Sequence, residues 1–396
     1  MHAISEGNFQ DKRVLMRVDF NVPLDEQGNI TDDIRIRGAL PSIRYILEGG
    51  GSVVLMSHLG RPKGEAKPAL SLAQVVDHLG ELLGLQVKFA GDCVSEAAFA
   101  VTGALQPGEV ALLENLRYHG EETKGDRKFA EKLALHGEIY VNDAFGTAHR
   151  AHASTAIVAE FFPEKYAGFL MTAEVENARK VMENVERPFT AIMGGAKVSD
   201  KIQIIQRLLD KVDYLLIGGG MAYTFLKAKG YDIGNSLLEA DKVALAAALI
   251  KKARNKGVIM LVPVDSVVAN KFAEDAETAV VRNDQIPSDM MGLDIGPQTF
   301  KAFYEIIMKS KTVMWNGPMG VFEMAPFAQG TVAMAQTLAE ATKAGAYTLV
   351  GGGDSAAAIK KAGLESEVSY VSTGGGALLE MLEGKELPGV AALGGA

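Results

Sequence analysis

With a single cysteine, Cys93, in 396 residues, the chain cannot close an internal disulfide. A large chain without disulfides suits a reducing compartment, so the expected location is the cytoplasm. No apolar run approaches the ~20 residues that a helix needs to span a bilayer. The opening MHAISEGNFQDKR holds no apolar stretch that could act as a signal peptide. Neither export nor membrane insertion is expected. Basic residues number 40 against 49 acidic ones, a net charge of -9. That balance argues against non-specific binding to nucleic acid, which needs clustered Lys and Arg, yet leaves room for a local basic pocket. There is no internal repeat and no low-complexity tract. G-x-x-x-x-G-K-[ST] is absent, which excludes a P-loop enzyme. H-R-D and D-F-G are absent too, since His149 and Arg150 precede Ala151 and the early motif reads DFN; a protein kinase is excluded.

Hydrophobic residues make up 48% and charged residues 22%, close to a folded globular chain. The length exceeds one ordinary core, so two domains are expected. Short β-branched runs recur at Val14–Val18, Ser52–Met56, Glu109–Leu113 and Glu138–Val141, and after Pro188 at FTAIM, DYLLI, VIMLVPV, KTVMW and AYTLV. Helix-length stretches separate them. Continuous apolar runs of this kind suit strands covered on both faces, as in parallel sheets. The fold class is therefore α/β: two Rossmann-like domains, each a mostly parallel sheet flanked by helices. Between them TAEVENARKVMENVER reads as a joining helix, with Thr172 as N-cap and Val175, Ala178, Met182 and Val185 at helical spacing. The Gly- and Pro-rich tail KELPGVAALGGA should be irregular or docked.

In an open parallel sheet, ligands bind beyond the carboxyl ends of the strands. Four of the early runs end in groups suited to an anion. The first delivers Asp19 and Asn21, with Arg35 following. The second delivers His58, Leu59, Gly60 and Arg61 within SHLGRP. The third delivers Arg117, and the fourth His149, Arg150 and His152. Arginine grips carboxylate and phosphate through paired hydrogen bonds, so this mouth suits a small substrate bearing both. Against that stands the plainer reading: a lone arginine is usually solvated, a lone histidine is usually a hydrogen-bonded structural residue, and Asp19 suits a turn. His2, His78 and His136 read as surface positions.

Glycine dominates the strand ends of the second half: GGAKVSDK, GGGMAYTF, WNGPMGVFE and GGGDSAAA, with STGGGALLE opening the last helix. Such turns let backbone N–H groups and a helix start approach a phosphate, though tight turns and close packing use glycine equally well. Lys197 and Lys201, four apart, would share one face of a helix beginning near them. Asp354 sits where Mg²⁺ bridging nucleotide phosphates would want a carboxylate. GGGDSA also fits the relaxed dinucleotide pattern, but VSYVST follows where that pattern needs an acidic residue, so a dehydrogenase is disfavoured. A hinged, non-enzymatic binding protein is the alternative of a different class.

Taken in order, RVDFNVP, SHLGRP, LLENLRYH, AHRAHAST, GGAKVSDK, GLDIGP, WNGPMGVFE, GGGDSA and STGGGA resemble the phosphoglycerate kinase family over essentially the whole chain. The resemblance implies a domain 1–171 for 3-phosphoglycerate or 1,3-bisphosphoglycerate, a joining helix 172–187, a nucleotide domain 188–380 for MgADP or MgATP, and a tail 381–396 packed on the first domain. It implies that Asp19, Asn21, Arg35, His58, Leu59, Gly60, Arg61, Arg117 and Arg150 hold the substrate. It assigns Lys197, Lys201, Gly292, Asn316, Glu323, Gly352, Gly353, Asp354 and Ser355 to the nucleotide, with Glu323 on the ribose and Asp354 on the metal. Ser355 stands where Thr is common, and Tyr370 where His is frequent. Arg35, Lys197 and the N–H groups near Gly374 and Gly375 are expected to serve the transferring phosphoryl, in a monomer that closes about a hinge.

Overall fold

The structure, a computed structural model, describes residues 1–183 and 185–394. The chain divides into two compact units, Met1–Glu176 with Lys385–Ala396, and Asn177–Gly384. No helix among the described residues is long and apolar enough to cross a membrane.

The first unit is built on six strands, β1 (Arg13–Arg17), β2 (Ser52–Met56), β3 (Val87–Ala90), β4 (Val110–Leu113), β5 (Ile139–Asn142) and β6 (Lys165–Ala167). They lie in the order β3-β4-β2-β1-β5-β6, and every pairing is parallel. All five residues of β2 and all four of β4 and β5 are buried, which is why these runs carry no polar alternation. Val14, Met16, Val53 and Leu55 pack with Ile36, Ile43 and Ile46 of the helix Ile34–Glu48. Strand order reverses between β1 and β5, and because the strands are parallel the loops after β1, β2, β4 and β5 all open at one edge.

In the second unit β7 (Phe189–Met193), β8 (Tyr214–Ile217), β9 (Ile259–Leu261), β13 (Thr312–Asn316), β14 (Tyr347–Gly351) and β15 (Tyr370–Val371) form a parallel sheet in the order β15-β14-β13-β7-β8-β9. Ile192, Leu216, Trp315 and Val350 supply its core beside Met334 and Leu338. A further sheet, absent from the sequence reading, has the antiparallel order β11-β10-β12, from β10 (Asp265–Ala269), β11 (Thr278–Arg282) and β12 (Met291–Ile295). Its edge strand β11 alternates exposed and half-buried residues, a weak period-2 signal easily passed over.

The helix read as 172–187 spans Phe169–Met182, and the division between units falls within it. Asn184, inside the expected stretch, lies outside the described residues, as do Gly395 and Ala396 of the tail. Thr172 is not the N-cap, since its N–H already bonds Gly168 O at 2.9 Å. Caps come instead from far along the chain: Ser42 Oγ accepts from Phe169 N at 2.8 Å, and Asp143 Oδ1 from Met171 N at 2.9 Å. Burial pushes the Asp143 carboxyl up to about 7. The tail segment contains a short helix, Pro388–Ala391, and Gly389 N donates to Ala148 O at 2.8 Å.

At Gly168 a Cβ would meet Asp143 Oδ1 at 2.2 Å. Gly168→Ala is therefore expected to displace the cap and destabilise the protein by about 1–3 kcal/mol, read as a lowered thermal midpoint. An unchanged midpoint would show that the cap does not constrain this turn.

Candidate active site

Loop-to-loop hydrogen bonds assemble the strand ends of the first unit. Asn21 Oδ1 accepts from Gly60 N at 2.7 Å, and Gly60 O accepts from Arg117 Nη1 at 2.8 Å. Asn115 holds both sides of Leu59, its Oδ1 accepting from Leu59 N at 3.2 Å and its Nδ2 donating to Leu59 O at 2.7 Å. Gly60 has φ +60°, the left-handed conformation that lets this backbone turn between Asn21 and Arg117. Arg35 Nη1 reaches Asp19 Oδ1 and Oδ2, each at 3.3 Å, and Asn21 O at 3.0 Å. Asp19 plays the turn role as well, its Oδ1 accepting from Asn21 N at 3.1 Å. Arg61, Arg117 and Arg150 line one hollow of about 560 Å³, together with Lys63, His119 and His152. Asn21 and Arg35 line another of about 440 Å³.

Beneath these residues lies a network that sequence reasoning passed over. Arg17, at the end of β1, is fully buried. Its Nε donates to Ser154 Oγ at 2.8 Å, and its Nη2 lies 3.2 Å from His58 Nδ1. Ser154 in turn donates through Oγ to Glu122 Oε1 at 2.6 Å and through N to Oε2 at 2.9 Å. A charged residue closing an otherwise apolar run was the available signal, because an unpaired buried arginine is so costly. Glu122 and Ser154 gave none.

The electrostatics of this mouth are one-sided. Burial, and then Arg150 and Arg17, lower Arg117 to about 10. Burial, reinforced by Arg17, Arg117, Arg150 and Arg35, holds His58 well below the usual imidazole range. His152 is lowered to about 4 by burial and then by Arg117, Arg150 and Arg17. Both imidazoles are therefore neutral at pH 7, and the unbalanced positive charge resides on guanidinium groups. Such a mouth gains by taking up an anion of more than one charge.

In the second unit, a cavity of about 650 Å³ is lined by Gly219, Gly220, Tyr223, Leu293, Pro318 and Met319 among others, and by the expected Gly292, Glu323 and Asp354. Close backbone packing walls it. A Cβ at Gly219, where φ is +67°, would come within 2.5 Å of Gly195 N, and one at Gly292 within 1.8 Å of the Tyr223 hydroxyl. Lys201 Nζ bonds Asn316 Oδ1. Asn316 Nδ2 donates to Gly351 O at 2.7 Å, and Ser355 Oγ accepts from Gly317 N at 2.6 Å. Gly352, with φ +93°, precedes the helix Gly353–Lys361, which begins with Gly353 and Asp354. Burial lowers the Lys201 ammonium, while Asp200, Asp354 and Glu383 act to raise it.

Three readings need correction or refinement. Lys197 and Lys201 do not share a helix face, because the helix begins at Ile202 and Lys197 is exposed in the preceding loop. The Gly194–Gly195 turn, with φ +104° at Gly195, delays the helix. His136 is fully buried, not superficial: its Nε2 bonds Cys93 O at 2.9 Å and its Nδ1 lies 2.8 Å from Thr102 Oγ1. Gly374 and Gly375 stand before the helix Gly376–Leu382, and the Gly374 N–H donates to Ser372 Oγ at 3.0 Å.

Comparison with known proteins places these features in context. Residues 4–385 match the family model described as phosphoglycerate kinase. A phosphoglycerate kinase of Prosthecochloris aestuarii is 57% identical over 391 residues, covering 99% of this chain and 98% of its own. One of Synechococcus elongatus is 54% identical over 391 residues, covering 99% and 97%. Among solved structures, phosphoglycerate kinase from Coxiella burnetii aligns with a TM-score of 0.90 at 43% identity, covering 99% of this chain and 98% of that one. The Pyrococcus horikoshii enzyme aligns with a TM-score of 0.83 at 33% identity, covering 100% and 98%. With the parallel sheets, the arginine mouth and the glycine-walled cavity, these matches show that the chain belongs to the phosphoglycerate kinase family.

Proposed function

We propose that the chain transfers a phosphoryl group reversibly between 1,3-bisphosphoglycerate and ADP, giving 3-phosphoglycerate and ATP in glycolysis, with the two partners bound on separate units. The observation that carries this reading is the gathering of Arg61, Arg117 and Arg150 around one hollow while His152 in it and His58 near these arginines stay neutral. In it Arg61, Arg117 and Arg150 take the phosphate of phosphoglycerate. Asp19, Asn21 and Arg35 take its hydroxyl and carboxyl end, and neutral His58 orients them with the Leu59–Gly60 backbone.

The glycine-walled cavity accommodates the base and ribose, with Gly292 against the base and Glu323 on the ribose. Lys197, Lys201, Asn316, Gly352, Gly353 and Ser355 attend the phosphates. Asp354 is a lone carboxylate at a helix start, a donor set that suits Mg²⁺ completing its shell with phosphate oxygens. Bound there, the ion would neutralise charge on the nucleotide phosphates.

For ATP use the nucleophile is a carboxylate, already ionised at neutral pH because its pKa is about 3–4. No general base is needed. Catalysis then rests on in-line alignment and on neutralising the charge spread over the phosphoryl oxygens. Arg35 and Lys197 supply positive charge there, and the backbone at Gly374 and Gly375 supplies dipoles. Because these groups belong to separate units, the cycle includes a hinge motion. The proposed setting is a monomer in the cytoplasm.

A coupled assay for ATP formation from ADP and 1,3-bisphosphoglycerate, with and without Mg²⁺, tests the reading; no Mg²⁺-dependent turnover would overturn it. Arg35→Ala and Lys197→Ala are each expected to lower kcat by about 10² to 10⁵, and an unchanged kcat removes that residue from the mechanism. Arg61→Ala should raise KM with little change in kcat, because its partner is the non-reacting phosphate; the reverse pattern would refute that placement.

The low pKa of His152 has a stability consequence. Between about 4 and the ordinary value of 6.5 the unfolded chain binds the proton that the folded chain refuses. Stability from this group is thus complete above 6.5 and declines as pH falls toward 4. The thermal midpoint should drop across that window, and His152→Gln should flatten the drop; an equally steep decline in the variant would show that other groups cause it.

A further inference from the structure

Among the described residues, one group of mixed metal-ligating side chains adjoins the arginine hollow, which His119 also lines: Asp92, Cys93 and His119, whose candidate ligand atoms all lie within 4.8 Å of one another. Asp92 and Cys93 follow β3, and His119 follows the turn Leu116–Tyr118 that carries Arg117. We propose that these three side chains form a binding site for a borderline divalent cation of the zinc class, held by one carboxylate oxygen, one thiolate and one imidazole nitrogen.

The chemistry of the donors argues for this class of ion. A hard cation such as Mg²⁺ takes oxygen ligands, whereas thiolate and imidazole together select zinc-like ions. His119 Nε2 and Asp92 Oδ1 already lie 2.7 Å apart. Tetrahedral bonding at about 2.0–2.3 Å sets ligand atoms roughly 3.4 Å apart, so separations of up to 4.8 Å must close by no more than about 1.4 Å while the 2.7 Å His119–Asp92 pair opens by about 0.7 Å. Surrounding contacts hold the ligands in place. The His119 ring packs on Phe129 with centroids 5.1 Å apart, and the Cys93 carbonyl is fixed by His136 Nε2 at 2.9 Å. Such outer contacts set ligand orientation.

Charge balance also favours occupation. Cys93 is fully buried, so a charge on its sulfur needs a counter-charge close by. When the ion binds, the Sγ proton leaves to solvent and the His119 proton moves from Nε2 to Nδ1, freeing the nitrogen lone pair. One divalent cation then faces one carboxylate and one thiolate, with no net charge buried. The Asp92 and His119 side chains remain 34% and 28% exposed, which gives an entry path and leaves the fourth position to water. Occupation would tie the loop after β3 to the Arg117 turn.

The test is a Co²⁺ titration of the full chain, followed by absorption and by Zn²⁺ competition. One equivalent of Co²⁺ should give the intense visible bands of a tetrahedral site together with thiolate-to-cobalt charge transfer, and Zn²⁺ should displace it. Asp92→Asn and His119→Gln, on partly exposed side chains, should each weaken binding by at least about tenfold. Cys93→Ser should remove the charge-transfer band. A band insensitive to Asp92→Asn and His119→Gln would mean capture by a lone thiol and would overturn the site. So would the absence of tetrahedral bands at millimolar Co²⁺, or unchanged binding in Cys93→Ser.

Discussion

Holding several arginines close together without matching carboxylates is the constraint on which the first unit depends. Each guanidinium repels its neighbours, and in a partly buried mouth that repulsion is weakly screened. The protein contains the cost in two ways. It keeps His58 and His152 neutral, so that they add hydrogen-bonding capacity without charge. It also pins the loops by neutral contacts, Asn21 to Gly60, Gly60 to Arg117 and Asn115 to Leu59, which do not consume the charge meant for a ligand. Two carboxylates are exceptions: Asp19 pairs with Arg35, and Glu122 balances Arg17 through Ser154 below the surface.

The glycine-rich half solves a different problem. Around its cavity backbone packs on backbone, and any side chain at Gly194, Gly219 or Gly317 would collide with main-chain atoms nearby. Polar side chains enter the cavity from within β12 at Asp294 and from loops at Asn235 and Glu323. Asn316 and Ser355 are spent on fixing the backbone turns at Gly351 and Gly317. At 355 the serine hydroxyl oxygen accepts the Gly317 N–H.

The central parallel strands were legible because burial on both faces imposes an apolar run, as in β2 and β7, whereas the short, half-buried edge strands β3, β6 and β15 were not read. The small antiparallel sheet was not, because β11 alternates weakly and β10 and β12 carry polar residues satisfied only in three dimensions, Asp265 by Thr299 and Asp294 by Gly330. The joining helix was placed three residues late for the same reason. Its caps, Ser42 and Asp143, come from distant sequence, and no local pattern marks them.

By itself the sequence determined the fold class, the ordered motifs and the residue types at each strand end, since periodicity and turn chemistry are local properties. Only the tertiary structure decided which charges are shared and which are shielded: that Arg17 is buried against Ser154, that His136 belongs to the core, and that Lys197 lies on a loop apart from Lys201. Burial and proximity arise from the packing of elements far apart in the chain, and they, rather than residue identity, set the protonation and reach of each side chain.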